Sequence, residues 1–232
     1  MSIRKTNFVI GEYYHVYNRG ADKRDIFCDQ EDLNRFFQSI QDFNTEDPIG
    51  SLYEKNYLSK KLNFGGKAAK KSENKKLVSI IAYCLNPNHF HFILTPLVEN
   101  GIQKFMQRLG GYSTYFNLKN GRSGSLFQGK FKSKHIDSNE YLIHLSIYIN
   151  CNNYDSNCSI QSKLSRSSFL EYISPQDVKN IICDTNIILK QLKSNKEYQK
   201  IAKGTWKEIS RKKDQLKVFE FLGARPPKKR IK

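Results

Sequence analysis

The chain has 232 residues, with 39 lysines and arginines against 22 aspartates and glutamates, and it carries a formal net charge of +17. This excess and the 12% aromatic content favour a nucleic-acid partner, because cations contact phosphates and aromatic rings stack on bases. The sequence argues against a membrane span, a signal peptide, a disulfide framework and a zinc ribbon, since its apolar runs are short and its five cysteines form no CxxC pair. The expected location is a reducing cytoplasm, at the nucleoid.

The hydrophobic pattern predicts a series of regular elements in the first two thirds of the chain. Helices are predicted where apolar residues recur every three or four positions, and strands where short apolar runs are bounded by turn residues. The polar stretch 44–76, broken by prolines and glycines, is predicted to be an exposed, mobile insertion. In chain order, the elements are a strand at 13–19, a helix at 31–43, strands at 77–85 and 89–95, a helix at 101–119 that Gly110-Gly111 loosens, a strand at 126–136 and a helix at 139–152.

This order of elements predicts an α+β fold, with helices packed on an antiparallel sheet as in ferredoxin-like folds. The main domain is expected to span residues 1–173, followed by a helical extension at 174–232 with helices at 176–193 and 196–222. The basic end of the chain, 225–232, is expected to be disordered in the free protein and to contact phosphates without sequence preference.

Two histidines, His89 and His91, open the second strand of the predicted hairpin directly after the turn Asn86-Pro87-Asn88. Alternate residues of a strand share a face, so the two Cα atoms lie roughly 6.5 Å apart and both imidazoles can bind one metal ion. A lone His-x-His pair is a weak signal, because most such pairs are surface or core histidines. The other three histidines have no partner at ligand spacing and are predicted to be structural or surface residues; they are His15, His135 and His144.

The predicted helix 139–152 carries Tyr148 and, four residues later, Asn152, which share one helix face. A phenol can attack a phosphodiester and form a phosphotyrosine bond, which keeps the energy of the broken linkage and allows rejoining without ATP. A divalent cation, Mg²⁺ or Mn²⁺, held by His89, His91 and the Asn152 carboxamide oxygen would orient the phosphate and neutralise its charge. The spacing alone favours a core tyrosine over a nucleophile, and it leaves three rival nucleophiles: Tyr112, Tyr115 and Tyr141.

The predicted strand 126–136 carries a row of candidate DNA-binding side chains. Alternation places Gln128, Lys130, Lys132 and Lys134 on one face, roughly 6.5–7 Å apart, which is close to the phosphate repeat of an extended single strand. The alternative is a solvent-facing edge whose lysines oppose aggregation. Two arginines in predicted turns beside the sheet add further candidate phosphate contacts; they are Arg19 and Arg122.

Several motifs, taken in order, resemble the REP-associated tyrosine transposases. These belong to the single-tyrosine His-hydrophobic-His transposases of single-strand insertion sequences. The resemblance covers roughly residues 13–173 and is far more specific than any one motif. It rests on Tyr14-His15-Val16-Tyr17-Asn18-Arg19-Gly20, Asn86-Pro87-Asn88-His89-Phe90-His91, Tyr112-Ser113-Thr114-Tyr115-Phe116-Asn117, Gly121-Arg122-Ser123-Gly124, Phe127-Gln128-Gly129-Lys130-Phe131-Lys132-Ser133, Tyr141-Leu142 and Leu145-Ser146-Ile147-Tyr148-Ile149.

The resemblance implies a metal-dependent single-strand DNA endonuclease and strand transferase, a transposase, that acts at sites flanked by DNA hairpins. It implies that His89 and His91 bind the metal and that Tyr148 is the nucleophile, which yields a 5′-phosphotyrosyl enzyme and a free 3′-hydroxyl. The family usually has Leu-Asn-Pro after the tyrosine helix, whereas this chain reads Cys151-Asn152-Asn153, so the asparagine is kept and the proline is not. Related transposases include dimers that share their tyrosine helices, while the REP-associated branch is expected to act as a monomer.

Two other functions stay open at the level of the sequence. The chain could be a domesticated DNA-hairpin-binding protein with little or no turnover, which would bind hairpins tightly without metal-dependent cleavage. It could also be an RNA-binding α+β protein, although such proteins need an aromatic platform on the sheet and residues 126–133 place lysines there. Competition between single-stranded DNA and RNA of one sequence would separate these classes.

Overall fold

The computed structural model describes residues 7–47, 75–153, 162–192 and 194–205. Within these ranges the strands are β1 (Tyr13–Arg19), β2 (Val78–Asn86), β3 (His89–Pro96), β4 (Lys132–Ile136) and β5 (Arg166–Ser167). The helices are α1 (Gln30–Asp42), α2 (Gly101–Gly110), α3 (Tyr112–Lys119), α4 (Asn139–Asn150), α5 (Phe169–Ile173) and α6 (Asn186–Leu189). The strands form one antiparallel sheet in the order β4-β1-β3-β2-β5, which confirms the predicted α+β, ferredoxin-like architecture.

Both faces of the sheet bury apolar side chains under helices. Phe90 and Phe92 of β3 face a core that α1, α2 and α3 cover. The alternate residue Ile93 faces a second core, which α4 closes with side chains such as Leu142 and Ile149. Ser138 is the N-cap of α4: its side chain accepts a hydrogen bond from the backbone of Tyr141 and satisfies one free N–H of the first turn. A sheet covered on both faces has no open platform of the kind that RNA-binding sheets use.

The fourth strand is shorter than the predicted strand 126–136, because it begins at Lys132. Gly129 has a φ of +69°, a left-handed conformation that interrupts extended backbone. Before this glycine, Phe127 forms a single isolated bridge with Gly20. The face alternation predicted for residues 126–136 is therefore wrong before Lys132. The predicted helix 139–152 ends at Asn150, which leaves Asn152 in the turn that follows it.

The predicted helix at 176–193 is largely replaced by irregular chain, with a short 3-10 turn at Pro175–Asp177 and α6 as its helical parts. Here Cys183 forms a parallel bridge with Ile80 of β2, and the Glu171 carboxylate accepts hydrogen bonds from the backbones of Ile182 and Cys183. These contacts hold the chain extended beside the sheet. The helix predicted at 196–222 is helical over 195–205; its remainder, the tail 225–232 and residues 48–74 of the predicted insertion lie outside the described residues.

Tyr198 connects the helical segment 195–205 to α4 through contacts of its hydroxyl. Its side chain is fully buried, and its hydroxyl accepts a hydrogen bond of 2.8 Å from Nδ2 of Asn150. The same hydroxyl lies 3.3 Å from Oγ of Ser146, and the ring stacks on Tyr172 at a centroid distance of 4.5 Å. Because Ser146 and Asn150 flank Tyr148 in the sequence, the C-terminal segment supports the helix that carries the candidate nucleophile.

We expect Tyr198→Phe to lower the free energy of unfolding by about 1–3 kcal/mol, because it leaves the buried Asn150 amide without its acceptor. Urea denaturation followed by circular dichroism measures the change. Tyr148→Phe is the matched control, since its ring is 40% exposed and its loss of a hydroxyl should change stability by less than about 0.5 kcal/mol. Equal stability of the two variants would show that the buried hydroxyl does not hold the segment to α4.

Two further features of the described ranges are the lengths of the helices and the pairing of the cysteines. Within the described ranges, none of the helices has the length and apolar character needed to cross a membrane. No disulfide bond joins any two of the four cysteines in those ranges, which are Cys28, Cys84, Cys151 and Cys183.

Candidate functional site

His89 and Asn152 meet at the end of the sheet where β2 turns into β3. Oδ1 of Asn152 lies 3.3 Å from Nε2 of His89 and accepts a hydrogen bond of 2.8 Å from Nδ2 of Asn86. On the other side of the ring, Nδ1 of His89 lies 2.6 Å from Oδ1 of Asn88, an acceptor. Nδ1 therefore carries the proton, and the lone pair of Nε2 accepts a hydrogen bond of 3.1 Å from Nδ2 of Asn86. This is the tautomer that can bind a metal through Nε2.

His91 follows on the same face of β3, and its ring centroid lies 5.1 Å from that of His89. Its Nδ1 lies 2.9 Å from Nε2 of His15 on β1, and the two rings stack at 5.1 Å with an interplanar angle of 22°. This contact makes Nε2 the nitrogen with which His91 can bind a metal. Tyr17 stacks on both His15 and His91 and completes the row of rings.

Burial keeps both stacked histidines neutral. It lowers the pKa of His91 to about 3, with the neighbouring His15 and His89 adding to the effect. It lowers the pKa of His15 to about 4, where Lys134 on β4 also disfavours a positive charge. Metal binding requires a neutral imidazole, so at neutral pH these side chains are already in the form that a cation needs.

The sequence did not assign His15 to the site, because it has no histidine at ligand spacing on its own strand. The contact with His91 arises from the pairing of β1 with β3, in which Tyr17 stands opposite His91 and His15 lies one diagonal away. The other two histidines stay outside the row of rings. His135 pairs with Glu12 at 2.8 Å, and His144 is exposed on α4.

These side chains fit a small divalent cation. The 3.3 Å between His89 Nε2 and Asn152 Oδ1 is near the roughly 3 Å that separates adjacent ligands of an octahedral ion bound at 2.0–2.2 Å. Imidazole nitrogen combined with amide oxygen suits Mn²⁺ as well as Mg²⁺. In the part of the chain that the structure describes, no group of three or more His, Cys, Asp or Glu side chains is placed to hold a metal, so the candidate centre depends on the asparagine.

Tyr148 lies on α4, about one helical turn before Asn152, and its side chain is 40% exposed between the fully buried Ile147 and Ile149. Helix α4 covers the sheet face that the histidines share, since Cys84, which stands opposite His91, belongs to the core that α4 closes. Tyr148 is therefore a surface tyrosine on the histidine side of the sheet and not a core residue.

The three tyrosines that the sequence left as alternative nucleophiles make other contacts. Tyr112 is buried on the opposite face and donates a hydrogen bond of 2.7 Å to the carbonyl of Ile26. The hydroxyl of Tyr115 lies on that face too and donates to Asp32 at 3.3 Å. Tyr141 is on α4, where its ring packs under the ammonium of Lys134 at 4.8 Å.

A cleft of about 420 Å³ opens in front of the two histidines. Three of the predicted DNA-binding residues line it together with His89 and His91, namely Arg19, Gln128 and Lys132. The Arg19 guanidinium donates a hydrogen bond to the Gln128 side chain, which holds both at the wall of the cleft. Lys134 lies two positions further along β4, opposite His15. The cleft joins the candidate metal ligands to positive charge, a combination that suits a phosphate group.

The other two predicted DNA-binding residues lie elsewhere. Lys130 lines a different cavity, on the face of the sheet that α1 and α2 cover, because Gly129 turns the chain between it and Gln128. Arg122 follows α3 and packs over the ring of Phe116 at 5.6 Å. The prediction of a single face bearing Gln128, Lys130, Lys132 and Lys134 is therefore wrong at Lys130, while a DNA contact by Lys130 or Arg122 stays a prediction.

Comparison with known proteins gives a match to a family model and a similarity to a solved structure. Residues 51–152 match the model of a family described as "Transposase IS200 like". No curated protein sequence matches the chain. Among solved structures, one described as "Structure of the REP associates tyrosine transposase bound to a REP hairpin" is similar, with 15% sequence identity and a TM-score of 0.42. The match covers 79% of this chain and 94% of that chain.

Proposed function

We propose that the protein, whose residues 51–152 match the model of the IS200-like transposase family, cleaves single-stranded DNA and joins strands through a 5′-phosphotyrosine on Tyr148. The observation that carries the proposal is the 3.3 Å between Oδ1 of Asn152 and Nε2 of His89, the nitrogen proposed to bind the metal, with Tyr148 exposed on α4 about one turn before that asparagine. The proposed substrate is DNA with a hairpin beside the cut, as the motif resemblance implies.

The first step is attack by the Tyr148 hydroxyl oxygen on the scissile phosphorus. A P–O bond to the tyrosine forms, the phenolic proton is lost, and the bond to the 3′-oxygen of the upstream nucleotide breaks. That oxygen takes up a proton and leaves as a 3′-hydroxyl, while the 5′-phosphate of the downstream strand stays on the enzyme. In the second step a 3′-hydroxyl from another strand attacks the phosphotyrosine, and the phenol regains its proton.

His89, His91 and Asn152 would hold a divalent cation at the scissile phosphate. A bound cation supplies charge neutralisation and orientation there, which matters because a free phenol is almost wholly protonated and a weak nucleophile at neutral pH. His15 would act as a positioning residue: its Nε2 accepts from Nδ1 of His91, which leaves Nε2 of His91 as the nitrogen that could bind a cation. Arg19 and Lys132 contact the flanking phosphates from the wall of the cleft.

Covalent capture tests the proposal. A single-stranded oligonucleotide with a hairpin, labelled at its 3′ end, is incubated with the protein and Mn²⁺ and resolved on a denaturing gel. The label should move with the protein, because the enzyme keeps the 5′-phosphate of the downstream fragment. Tight hairpin binding without any adduct, at all metal concentrations, would contradict catalysis and favour a DNA-hairpin-binding protein instead.

We expect Lys132→Ala to weaken binding to single-stranded DNA and to lower the slope of log affinity against log salt by about 0.7, the value of one lost phosphate contact. Fluorescence anisotropy at several KCl concentrations measures both quantities. Lys104→Ala is the matched control, because Lys104 is an exposed lysine on α2, which covers the opposite face of the sheet. An unchanged salt slope in Lys132→Ala would show that the DNA does not pass through this cleft.

A further inference from the structure

A second cavity, of about 640 Å³, lies on the opposite face of the sheet from the histidine cleft. Its volume is within the range of roughly 300–1,000 Å³ that is typical of small-molecule sites. Its walls are mostly apolar and rich in phenyl rings, and they come from α1, α2, β3 and the segment before β4: Phe36, Phe90, Met106, Leu109, Phe127 and Phe131. Neither the metal ligands nor Tyr148 contribute to it.

The two cavities are neighbours. Asn18 lines both, and its Nδ2 donates a hydrogen bond of 3.2 Å to the carbonyl of Gly129. The segment around Gly129 therefore forms a thin wall, with Gln128 in the histidine cleft on one side and Lys130 in the phenyl-lined cavity on the other. A strand whose phosphate lay at the histidines would therefore have the second cavity within reach of a nearby nucleotide.

The phenyl-lined cavity also offers hydrogen-bonding groups. The side chains of Asn7, Gln103 and Gln107 line it beside the rings. Nε2 of Gln103 donates to Asn100, while its Oε1 is buried and has no hydrogen-bond partner among the described residues.

Building on the proposed function, we propose that this cavity binds one unstacked base of the single strand whose phosphate occupies the histidine cleft. Phenyl rings stack on the π-face of any base, and the amide side chains of Asn7 and Gln107 at the lining carry donors and acceptors that suit the polar edge of a base. Lys130 at the lining adds the charge that a nucleotide phosphate attracts. The site would fix the position of the strand relative to the histidines, so it would help to set where the cut falls.

The test is a binding experiment that needs no catalysis. Hairpin oligonucleotides with one abasic nucleotide, moved through each single-stranded position, are titrated with the full chain in EDTA and followed by anisotropy. We expect one position at which the abasic nucleotide weakens wild-type binding roughly tenfold, the effect of losing one stacked base. Phe131→Ala should weaken binding of the intact strand by a similar factor and should cancel the abasic effect at that position, whereas Phe131→Tyr keeps the ring and the effect.

A second pair of variants keeps every lining side chain and adds a small or a large side chain at Gly110. A Cβ at Gly110 meets no atom within 4 Å, so Gly110→Ala should bind like the wild type, while Gly110→Phe should lose the abasic effect. An abasic effect of equal size in the wild type, Phe131→Ala and Gly110→Phe would overturn the base site, as would an abasic series without any sensitive position. Absence of a covalent adduct in the Mn²⁺ assay would instead count against the proposed function. It would not change what the abasic binding series says about the base site.

Discussion

Tyr148→Phe should abolish the covalent DNA–protein adduct and reduce strand cleavage by at least roughly a thousandfold, while the dissociation constant for hairpin DNA stays within about twofold. The substitution removes the single oxygen that forms the bond to phosphorus and keeps the ring. The side chain is 40% exposed, so the fold of α4 should not change. The measurement is the denaturing gel with 3′-labelled hairpin DNA and Mn²⁺, with anisotropy as the separate measure of binding.

Tyr141→Phe is the matched control, because Tyr141 lies two turns earlier on the same helix and should keep the adduct after losing its hydroxyl. Persistence of the adduct in Tyr148→Phe and its loss in Tyr141→Phe would move the nucleophile to the start of α4. An adduct that survives in both variants would place the reactive group outside α4 and would remove the reason for pairing this helix with the histidines.

The elements that the sequence predicted well are those whose patterns are local. The β2–β3 hairpin has bounds within one residue of the prediction, because alternation and the turn at Asn86-Pro87-Asn88 are properties of one short stretch. The same locality placed His89 and His91 on one face. The exposure of Tyr148 was not predictable in this way, since the spacing on α4 was compatible with either a core or a surface position.

The features that the sequence missed depend on contacts between distant segments. His15 joins His91 through the register of β1 against β3, which no pattern within β1 specifies. Lys130 does not lie in the predicted row of side chains because Gly129 adopts a positive φ. A glycine permits this conformation without requiring it, so the sequence does not predict it. The extended chain at Cys183 depends on its bridge to Ile80 and on the Glu171 carboxylate, and these tertiary contacts override a helical pattern.

The covering of both sheet faces also bears on the choice between functions. An RNA-binding sheet exposes aromatic side chains on one face, whereas here helices close both faces over apolar cores. The polar groups gather instead at one end of the strands, where β1, β3 and the turn after α4 bring three imidazoles and an amide together. This arrangement supports chemistry on a phosphate more than recognition by stacking on the sheet.

His91→Ala should raise the dissociation constant for Mn²⁺ roughly a hundredfold or more and should remove the adduct at Mn²⁺ concentrations that saturate the wild type, because it deletes a metal ligand in the proposed site. Titration of the free Mn²⁺ electron paramagnetic resonance signal measures the affinity directly, and adduct formation against Mn²⁺ concentration measures its consequence. His144→Ala is the matched control, since it removes an exposed imidazole on α4 and should change neither quantity.

The same titration should measure how much His15 contributes to Mn²⁺ affinity. His15→Phe keeps an aromatic ring next to Tyr17 but removes the acceptor for Nδ1 of His91, and it should weaken Mn²⁺ binding roughly 10–100-fold. His15→Gln places an amide oxygen where it can accept that hydrogen bond, and it should recover part of the affinity. Wild-type Mn²⁺ affinity in both His91→Ala and His15→Phe would mean that the cation binds away from these rings, and Tyr148 would then act without them.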